Sequence, residues 1–205
     1  MYDVLSLPEL TFPEGFLWGA ATAAYQIEGN LVHTDHWHRE MAGEIREKCG
    51  KACNSWEMYR EDIALAKSLG LKAYRFSLEW ARIEPSEGEI DRAAVDQYVD
   101  QCARLADAGV QPWITLHHIT HPQWFAAKGE WKERANLDAF FRYVEFIVPK
   151  IAPYAAGWTP INEYNLRGGM PAKPETHVAA GNAKLNALLA DAGAYDRIHE
   201  RSEIG

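Results

Sequence analysis

Residues 55–78, SWEMYREDIALAKSLGLKAYRFSL, contain the pattern that decides the fold. Apolar residues recur at helical spacing from Ser55 to Leu69, and a short apolar run, Lys72 to Leu78, follows directly. Ser55 is a candidate N-cap and Gly70 a candidate C-cap. The expected inward stripe of the helix is Trp56, Tyr59, Ile63, Ala66 and Leu69. A helix that leads directly into a buried strand is typical of α/β proteins.

The same strand, loop and helix pattern occurs in four rounds along the chain. The other expected strands are Phe16 to Ala21, Pro112 to His117 and Gly157 to Asn162. The other expected helices are Arg92 to Ala108, Asn136 to Ile151 and Pro174 to Arg201. Pro149 is expected to kink or end the helix that contains it. Strands that alternate with helices at intervals of about 40 residues predict βαβ units and a parallel sheet.

Two architectures fit this alternation, an open doubly wound sheet and a (β/α) barrel. Neither GxGxxG nor GxxxxGK[ST] follows any of the expected strands, which argues against a nucleotide-binding open sheet. A complete (β/α)8 barrel has eight rounds and takes roughly 250 residues. The four rounds in this chain therefore correspond to half of such a barrel.

The composition is that of an ordinary globular protein. The 205 residues are 47% hydrophobic and 24% charged, and we expect residues 1–205 to form a single domain. The net charge is −8 and no cluster of Lys and Arg stands out, so a nucleic-acid partner is not expected. No apolar run reaches the length of a membrane span. The N-terminal residues are acidic and interrupted by prolines, unlike a secretory signal, so a cytoplasmic location is expected.

Neither the cysteines nor the histidines predict a metal site. An odd number of cysteines, Cys49, Cys53 and Cys102, indicates free thiols, and no second Cys or His pair completes a zinc site with the first two. His117 and His118 are neighbours on a strand and point to opposite faces, so they do not easily share one ion.

Polar side chains stand at the end of each expected strand. The groups are Tyr25, Gln26 and Glu28 after the first strand, Arg75 and Glu79 at the second, His117, His118 and His121 at the third, and Asn162 and Glu163 at the fourth. In parallel α/β proteins the active site lies at the carboxyl ends of the strands. We therefore expect these groups to converge on one place.

Glu163 is the candidate acid or base. A carboxyl group in a partly apolar cleft has a raised pKa and can donate a proton near neutral pH. Asn162 beside it can hold a substrate hydroxyl. The alternative is a structural Glu163 that pairs with a nearby arginine. Arg75 lies within an apolar strand and is expected to have an acidic partner, either in a structural ion pair or to orient a catalytic carboxylate.

Four stretches of the chain occur in an order and at spacings that resemble one known family. They are FPEGFLWGAATAAYQIEGN (12–30), REDIALAKSLGLKAYRFSLEWARIEP (60–85), GVQPWITLHHITHPQWF (109–125) and GWTPINEYN (157–165). Together they resemble the motifs of glycoside hydrolase family 1, the β-glucosidase family. The likeness extends over nearly the whole chain.

The resemblance implies a (β/α)8 barrel and a retaining β-glycosidase that uses two glutamates and no cofactor or metal. It places the general acid/base on Glu163. It implies that Gln26, His118 and Asn162 hold the hydroxyls of the sugar, and that Arg75 supports the nucleophile. The substrate is then a β-linked glycoside.

The chain departs from the family pattern in three places. Tyr164 replaces the proline that often follows the catalytic glutamate. Ile119 replaces an aromatic residue after His118, which removes one stacking wall of the sugar site. The loop between Gln26 and Trp37 is also short. These differences bear on substrate preference rather than on reaction type.

The resemblance covers the N-terminal half of the family only. It implies a nucleophile on a seventh strand within a TENG-like motif, which this sequence does not contain, and Glu200 and Glu203 in the terminal helix region do not replace it. We therefore expect little or no turnover by the isolated chain. Open edge strands also predict pairing with a C-terminal half chain or self-association.

Two further functions remain open from the sequence. A non-catalytic carbohydrate-binding half barrel would keep Gln26, His118 and Asn162 and use tryptophans as platforms. An inactive remnant would neither fold nor bind sugar. Saturable sugar binding without hydrolysis favours the first of these alternatives.

Overall fold

A computed structural model describes residues 11–166 and 177–202 of the chain. Its strands form one sheet, in the order β1-β2-β3-β4. The strands are β1 (Gly19–Ala21), β2 (Ala73–Ser77), β3 (Gln111–His117) and β4 (Gly157–Ile161). The α-helices are α1 (Ala24–Ile27), α2 (Asp35–Met41), α3 (Ser55–Ser68), α4 (Trp80–Ile83), α5 (Arg92–Asp107), α6 (Gln123–Ala127), α7 (Leu137–Ile151) and α8 (His177–Arg201). Short 3-10 helices span Glu130–Lys132, Arg134–Asn136 and Tyr164–Leu166.

Every pair of neighbouring strands is parallel. Ala21 pairs with Arg75, Arg75 with Trp113, and Trp113 with Gly157. Because parallel strands need a crossover, a helical segment separates each strand from the next. The prediction of four consecutive βα units is therefore confirmed.

The hydrophobic core lies between the sheet and the helices that cover it. Phe140, Val144 and Ile147 of α7 are fully buried. Trp80, which opens α4, is 1% exposed and stacks on Tyr143 with ring centroids 5.2 Å apart. These contacts fix the helical layer against the carboxyl ends of β2 and β3.

Three predictions about α3 are wrong. The C-cap is Leu69, and the predicted C-cap, Gly70, is the residue after it, with a φ of 74°. Asn54, not Ser55, is the N-cap, and Asn54 adopts the left-handed conformation that asparagine tolerates well. Leu69 is 67% exposed, although the helical period places it on the inward stripe. Among the described residues the sheet ends at β1, so nothing extends far enough to cover Leu69.

Two other boundaries also differ from the prediction. The first strand is confined to Gly19–Ala21, whereas the sequence predicts a start at Phe16. Pro149 does not end α7, which continues to Ile151, because a proline in the last turn removes only one helical hydrogen bond. The start predicted for the last helix, Pro174, lies outside the described residues.

None of the helices in the described part of the chain is both long enough and apolar enough to cross a membrane.

Candidate active site

The structure brings three of the five predicted site residues together, since Arg75 lies in the middle of β2 and His118 and Asn162 directly follow β3 and β4. Arg75 Nη1 donates to Asn162 Oδ1 over 3.0 Å, and Asn162 Nδ2 lies 3.1 Å from His118 Nε2. The backbone N–H of Asn162 donates to the carbonyl of His117 over 3.0 Å. Both groups of the Asn162 amide therefore have a partner, which fixes the orientation of the side chain.

Arg75 differs from its prediction. The side chain is half-buried rather than buried, and within residues 11–166 and 177–202 it forms no salt bridge. Its observed partner is the amide of Asn162, not a carboxylate. Partial exposure explains this, because an arginine that reaches water does not need an acidic partner to offset desolvation.

Glu163 follows Asn162 directly and is exposed. Its φ of 51° lies in the left-handed region, which costs a residue other than glycine about 1 kcal/mol or more. The expected partly apolar cleft around this carboxyl is not present in the described residues. Neither is the alternative ion pair with an arginine. The side chain points to water from a strained backbone position.

Gln26 lies on α1 and is exposed. Its side chain forms no hydrogen bond within the described part of the chain. The helix that carries it is nevertheless held firmly, because the N–H of Ala24 donates to Ser77 Oγ at the end of β2 over 2.7 Å. Tyr25 donates its hydroxyl to the buried carboxylate of Glu40. Gln26 is thus presented from an anchored helix.

A buried ion pair lies behind these residues and was not predicted as a unit. Arg82 Nε donates to Glu28 Oε2 over 3.0 Å, and Tyr98 donates its hydroxyl to Glu28 Oε1 over 2.7 Å. Arg82 also lies over the ring of Trp56, 3.9 Å from its centroid. Burial raises the pKa of Glu28, and the bonds from Arg82 and Tyr98 oppose that effect. The pair joins the loop after β1 to α4 and α5.

Glu79 is a second buried carboxyl, at the end of β2. It is 2% exposed, and it accepts hydrogen bonds from the hydroxyl of Thr120 over 2.6 Å and from the N–H of Ala81 over 3.1 Å. Burial raises the pKa of Glu79 to about 8, although the bond from Thr120 lowers it and Glu28 adds to the rise. The only sequence signal was a charged residue between the apolar Leu78 and Trp80.

Asp35 is a third buried carboxyl, at the start of α2, and was missed by the sequence analysis. It accepts from the N–H of His121 over 3.1 Å and lies 2.9 Å from His36 Nδ1. Burial alone raises the pKa of Asp35, but the neighbouring His121 and His36 outweigh it and bring the pKa to about 2. Asp35 is therefore a carboxylate at neutral pH.

The histidines after β3 lie in different surroundings. His117 is buried and meets Trp131 edge to face, with ring centroids 5.0 Å apart. His121 is 4% exposed and lies in the loop before Pro122. Across residues 11–166 and 177–202, no group of three or more His, Cys, Asp or Glu side chains is arranged to hold a metal ion.

An open cleft of about 520 Å³ lies beside the loop that carries His118. Its walls include Asp35, His36, Arg39, Ile119, His121, Gln123, Lys132 and Leu166. The volume is in the range of ligand-binding clefts, and the lining mixes aromatic, charged and amide groups. Among the described residues, none of the five predicted site residues lines this cleft, so it lies beside the predicted site rather than within it.

Comparison with known proteins identifies the family of the chain. The family model described as glycosyl hydrolase family 1 matches residues 9–202. β-Glucosidase A of Acetivibrio thermocellus is 37% identical over 166 residues, which are 77% of this chain and 37% of that protein. The human cytosolic β-glucosidase is 31% identical over 96% of this chain and 46% of its own length.

Solved structures show the same relationship. A β-glycosidase from Pyrococcus horikoshii is 37% identical with a TM-score of 0.86, over 95% of this chain and 47% of that one. A Thermotoga maritima β-glucosidase in complex with deoxynojirimycin is 30% identical with a TM-score of 0.84, over 95% of this chain and 48% of that one.

The chain thus spans about half the length of these structures and less than half of the two curated relatives. Its four βα units have the fold of half a (β/α)8 barrel. The chain belongs to glycosyl hydrolase family 1.

Proposed function

We propose that this chain carries the acid/base half of a retaining β-glycosidase site that acts on β-linked glycosides. Glu163 is the general acid/base, Gln26, His118 and Asn162 hold sugar hydroxyls, and Arg75 supports the nucleophile. The observation that carries the proposal is the hydrogen-bonded series Arg75, Asn162 and His118, directly beside Glu163. These donors and acceptors are oriented before any ligand arrives, which favours recognition of hydroxyl groups.

The chemistry needs two carboxyl groups on opposite sides of the scissile bond. One protonates the leaving oxygen, and the other attacks the anomeric carbon to form a covalent glycosyl intermediate. Glu163 supplies the first group in this proposal. The TENG-like motif of the second is not among these 205 residues. We therefore propose that the 205-residue chain has little or no turnover alone.

A partner for the sheet edges is part of the same proposal. All three residues of β1 are exposed, although parallel strands are normally covered on both faces. We propose that the edges pair with a C-terminal half barrel, or with a second copy of the chain. A monodisperse monomer by light scattering contradicts this part of the proposal.

Two further expectations also stand as proposals. One continuous sheet and one hydrophobic core running from Tyr59 to Ile198 support a single domain over residues 1–205. The free cysteines and the likeness to a human relative named as cytosolic support a cytoplasmic location.

Sugar binding without catalysis is the second candidate function. It is favoured by one contrast, since Asn162 is fixed by two partners whereas Glu163 is exposed and unpaired within the described residues. Such a chain binds the sugar and leaves the glycosidic bond intact.

The test combines hydrolysis with binding. Hydrolysis of an aryl β-glucoside is measured for the chain and for Glu163→Gln, and deoxynojirimycin binding is measured by calorimetry for the chain and for Asn162→Ala. Glu57→Gln, an exposed glutamate on α3, is the control. We expect saturable binding that Asn162→Ala weakens by up to about tenfold, the upper end of what one hydrogen bond between neutral groups contributes.

The outcomes separate the candidates. Hydrolysis that Glu163→Gln abolishes shows that Glu163 is catalytic and that a group other than the TENG-like glutamate supplies the nucleophile, and light scattering of the active sample then tests whether an assembled dimer is needed. Binding without hydrolysis agrees with the half site. Absence of binding by the folded chain contradicts both candidate functions.

A further inference from the structure

The backbone after β3 makes a strained turn directly at His118. The N–H of Thr120 donates to the carbonyl of His118 over 2.9 Å, which closes a three-residue γ-turn around Ile119. Ile119 has a φ of 69°, and a β-branched residue in this region is a genuine outlier. Such a conformation persists only where the surrounding structure holds it.

Glu79 holds the turn from the side of β2. The hydroxyl of Thr120 donates to Glu79 Oε2, while the N–H of Ala81 donates to Oε1. The N–H of Glu79 itself donates to the hydroxyl of the buried Tyr98 over 2.9 Å. Apart from the bond to Thr120, Glu79 is therefore held through Oε1 and through its backbone N–H.

Asp35 holds the next residue from the side of α2. The N–H of His121 donates to Asp35 Oδ1 over 3.1 Å, and the N–H of Asp35 donates to the carbonyl of His121 over 3.0 Å. Asp35 and His121 are both buried. Two buried carboxyl groups, Glu79 after β2 and Asp35 on α2, thus accept hydrogen bonds from the consecutive loop residues Thr120 and His121.

We propose that Glu79 and Asp35 are positioning residues, which hold the strained turn His118–Thr120 and thereby aim the His118 imidazole at the sugar. The effect of Glu79 and Asp35 on sugar binding rests on the proposed function, in which His118 contacts a sugar hydroxyl. The anchoring of the turn by these two residues does not depend on that function. The hydrogen bond between Asn162, which follows β4, and the His118 imidazole then fixes the orientation of the ring from a second side.

The chain offers a matched pair of substitutions for the test. Thr120→Val removes the hydroxyl that donates to Glu79. Thr115→Val makes the same chemical change on β3, where the buried hydroxyl has no hydrogen-bond partner within the described residues. Thr120→Ser keeps the hydroxyl and serves as the conservative rescue.

Two measurements need no sugar. They are amide hydrogen exchange at Thr120 and His121, and the NMR signal and titration of the His118 imidazole. We expect Thr120→Val to speed exchange at these amides about tenfold and to shift the His118 signal. Thr120→Ser and Thr115→Val should keep wild-type values. Wild-type exchange and a wild-type His118 signal in folded Thr120→Val overturn the proposal.

A second pair covers the case in which Thr120→Val does not fold. Asp35→Asn keeps an acceptor for the N–H of His121, whereas Asp35→Ala removes it. Faster exchange at His121 in Asp35→Ala but not in Asp35→Asn supports the proposal, and equal exchange in both overturns it for Asp35. Global unfolding of both Thr120→Val and Asp35→Ala shows that the carboxyl groups stabilise the whole fold, which also overturns a positioning role.

The iminosugar titration described above then links the turn to binding. We expect affinity to fall about tenfold in Thr120→Val and to stay unchanged in Thr115→Val. Unchanged affinity in Thr120→Val, despite a shifted His118 signal, removes the link to the sugar and leaves the anchoring intact. If the wild-type chain binds no iminosugar, the proposed function fails, whereas the exchange measurements still decide whether the carboxyl groups hold the turn.

Discussion

The centre and the β1 edge of the same sheet contrast sharply in burial. In β3, Ile114 and Leu116 are fully buried, whereas all residues of β1 are exposed. Both strands form the same kind of parallel ladder with β2. The contrast shows that pairing alone does not bury a parallel strand. Burial comes from the layers on its two faces, and these layers are present around β3 and missing around β1 among the described residues.

Exposed aromatic side chains also lie near the β1 edge of the sheet. Phe12, Phe16 and Trp18 form an exposed aromatic cluster, with ring centroids 4.5 to 5.1 Å apart. They contact one another, and within the described residues each of them is at least 46% exposed. Aromatic residues at the edge should therefore add little stability, while those at the centre should add much.

Phe140→Ala tests the centre and has the largest expected effect. The side chain is fully buried among Trp80, Trp131 and Tyr143. Its removal leaves a cavity and should lower the free energy of unfolding by about 3–5 kcal/mol. Urea denaturation followed by tryptophan fluorescence measures it. A loss below about 1 kcal/mol would mean that the centre is as loosely packed as the edge.

Glu79→Gln tests the polar part of the centre through its dependence on pH. The pKa of this carboxyl is 4.5 in an unfolded chain and about 8 in the fold, so the folded state holds its proton more tightly. The contribution of the Glu79 carboxyl group to the free energy of unfolding of the wild type is therefore fully present below pH 4.5. It is lost as the pH rises towards 8. Glutamine does not titrate. Relative to wild type, the variant should gain on the order of 3 kcal/mol between pH 5 and pH 8.

The measurement is urea denaturation of both proteins across that range. The control is Glu57→Gln, the same substitution at an exposed glutamate on α3. A stability difference between Glu79→Gln and wild type that does not change with pH contradicts a buried, proton-holding Glu79.

Thr115→Val sharpens the comparison within β3. The buried hydroxyl has no hydrogen-bond partner in the part of the chain that the structure describes. Valine has the same shape without the unsatisfied group, so stability should rise by about 1 kcal/mol. Thermal unfolding followed by circular dichroism measures the change. A loss of stability would mean that the hydroxyl has a partner, such as a buried water molecule.

Phe16→Ala tests the edge and has the smallest expected effect. The side chain is 46% exposed, so its removal should change the free energy of unfolding by about 0.5 kcal/mol or less. The same denaturation experiment that is used for Phe140→Ala provides the comparison. A loss as large as that of Phe140→Ala would show that another surface already covers the edge, as in a self-associated chain.

The sequence predicted the repeating elements well because helices and strands leave a periodic trace. The spacing of apolar residues along a helix does not show how far the neighbouring sheet extends. For that reason Leu69 was predicted to be buried, although it is exposed. The sequence predicted that Arg75, His118 and Asn162 lie close together, because Arg75 lies within β2, His118 and Asn162 directly follow β3 and β4, and parallel topology places these strands side by side. The catalytic role of Glu163 stays a prediction.

The carboxyl groups behind the site were harder to predict. Thr120 bonds to Glu79 and His121 to Asp35 across long separations in sequence, and no local pattern encodes such pairs. The sequence did not predict the turn at Ile119, for a different reason. Isoleucine disfavours a positive φ, so local preference predicts the opposite of what tertiary contacts impose.

The strand order β1-β2-β3-β4 also has a consequence for synthesis of the chain. Each strand pairs with the one that left the ribosome just before it, so no strand waits for a partner that is translated much later. The sheet can grow by one βα unit at a time, with α5 and α7 covering it as they emerge. The last strand added, β4, is then the natural point for further growth.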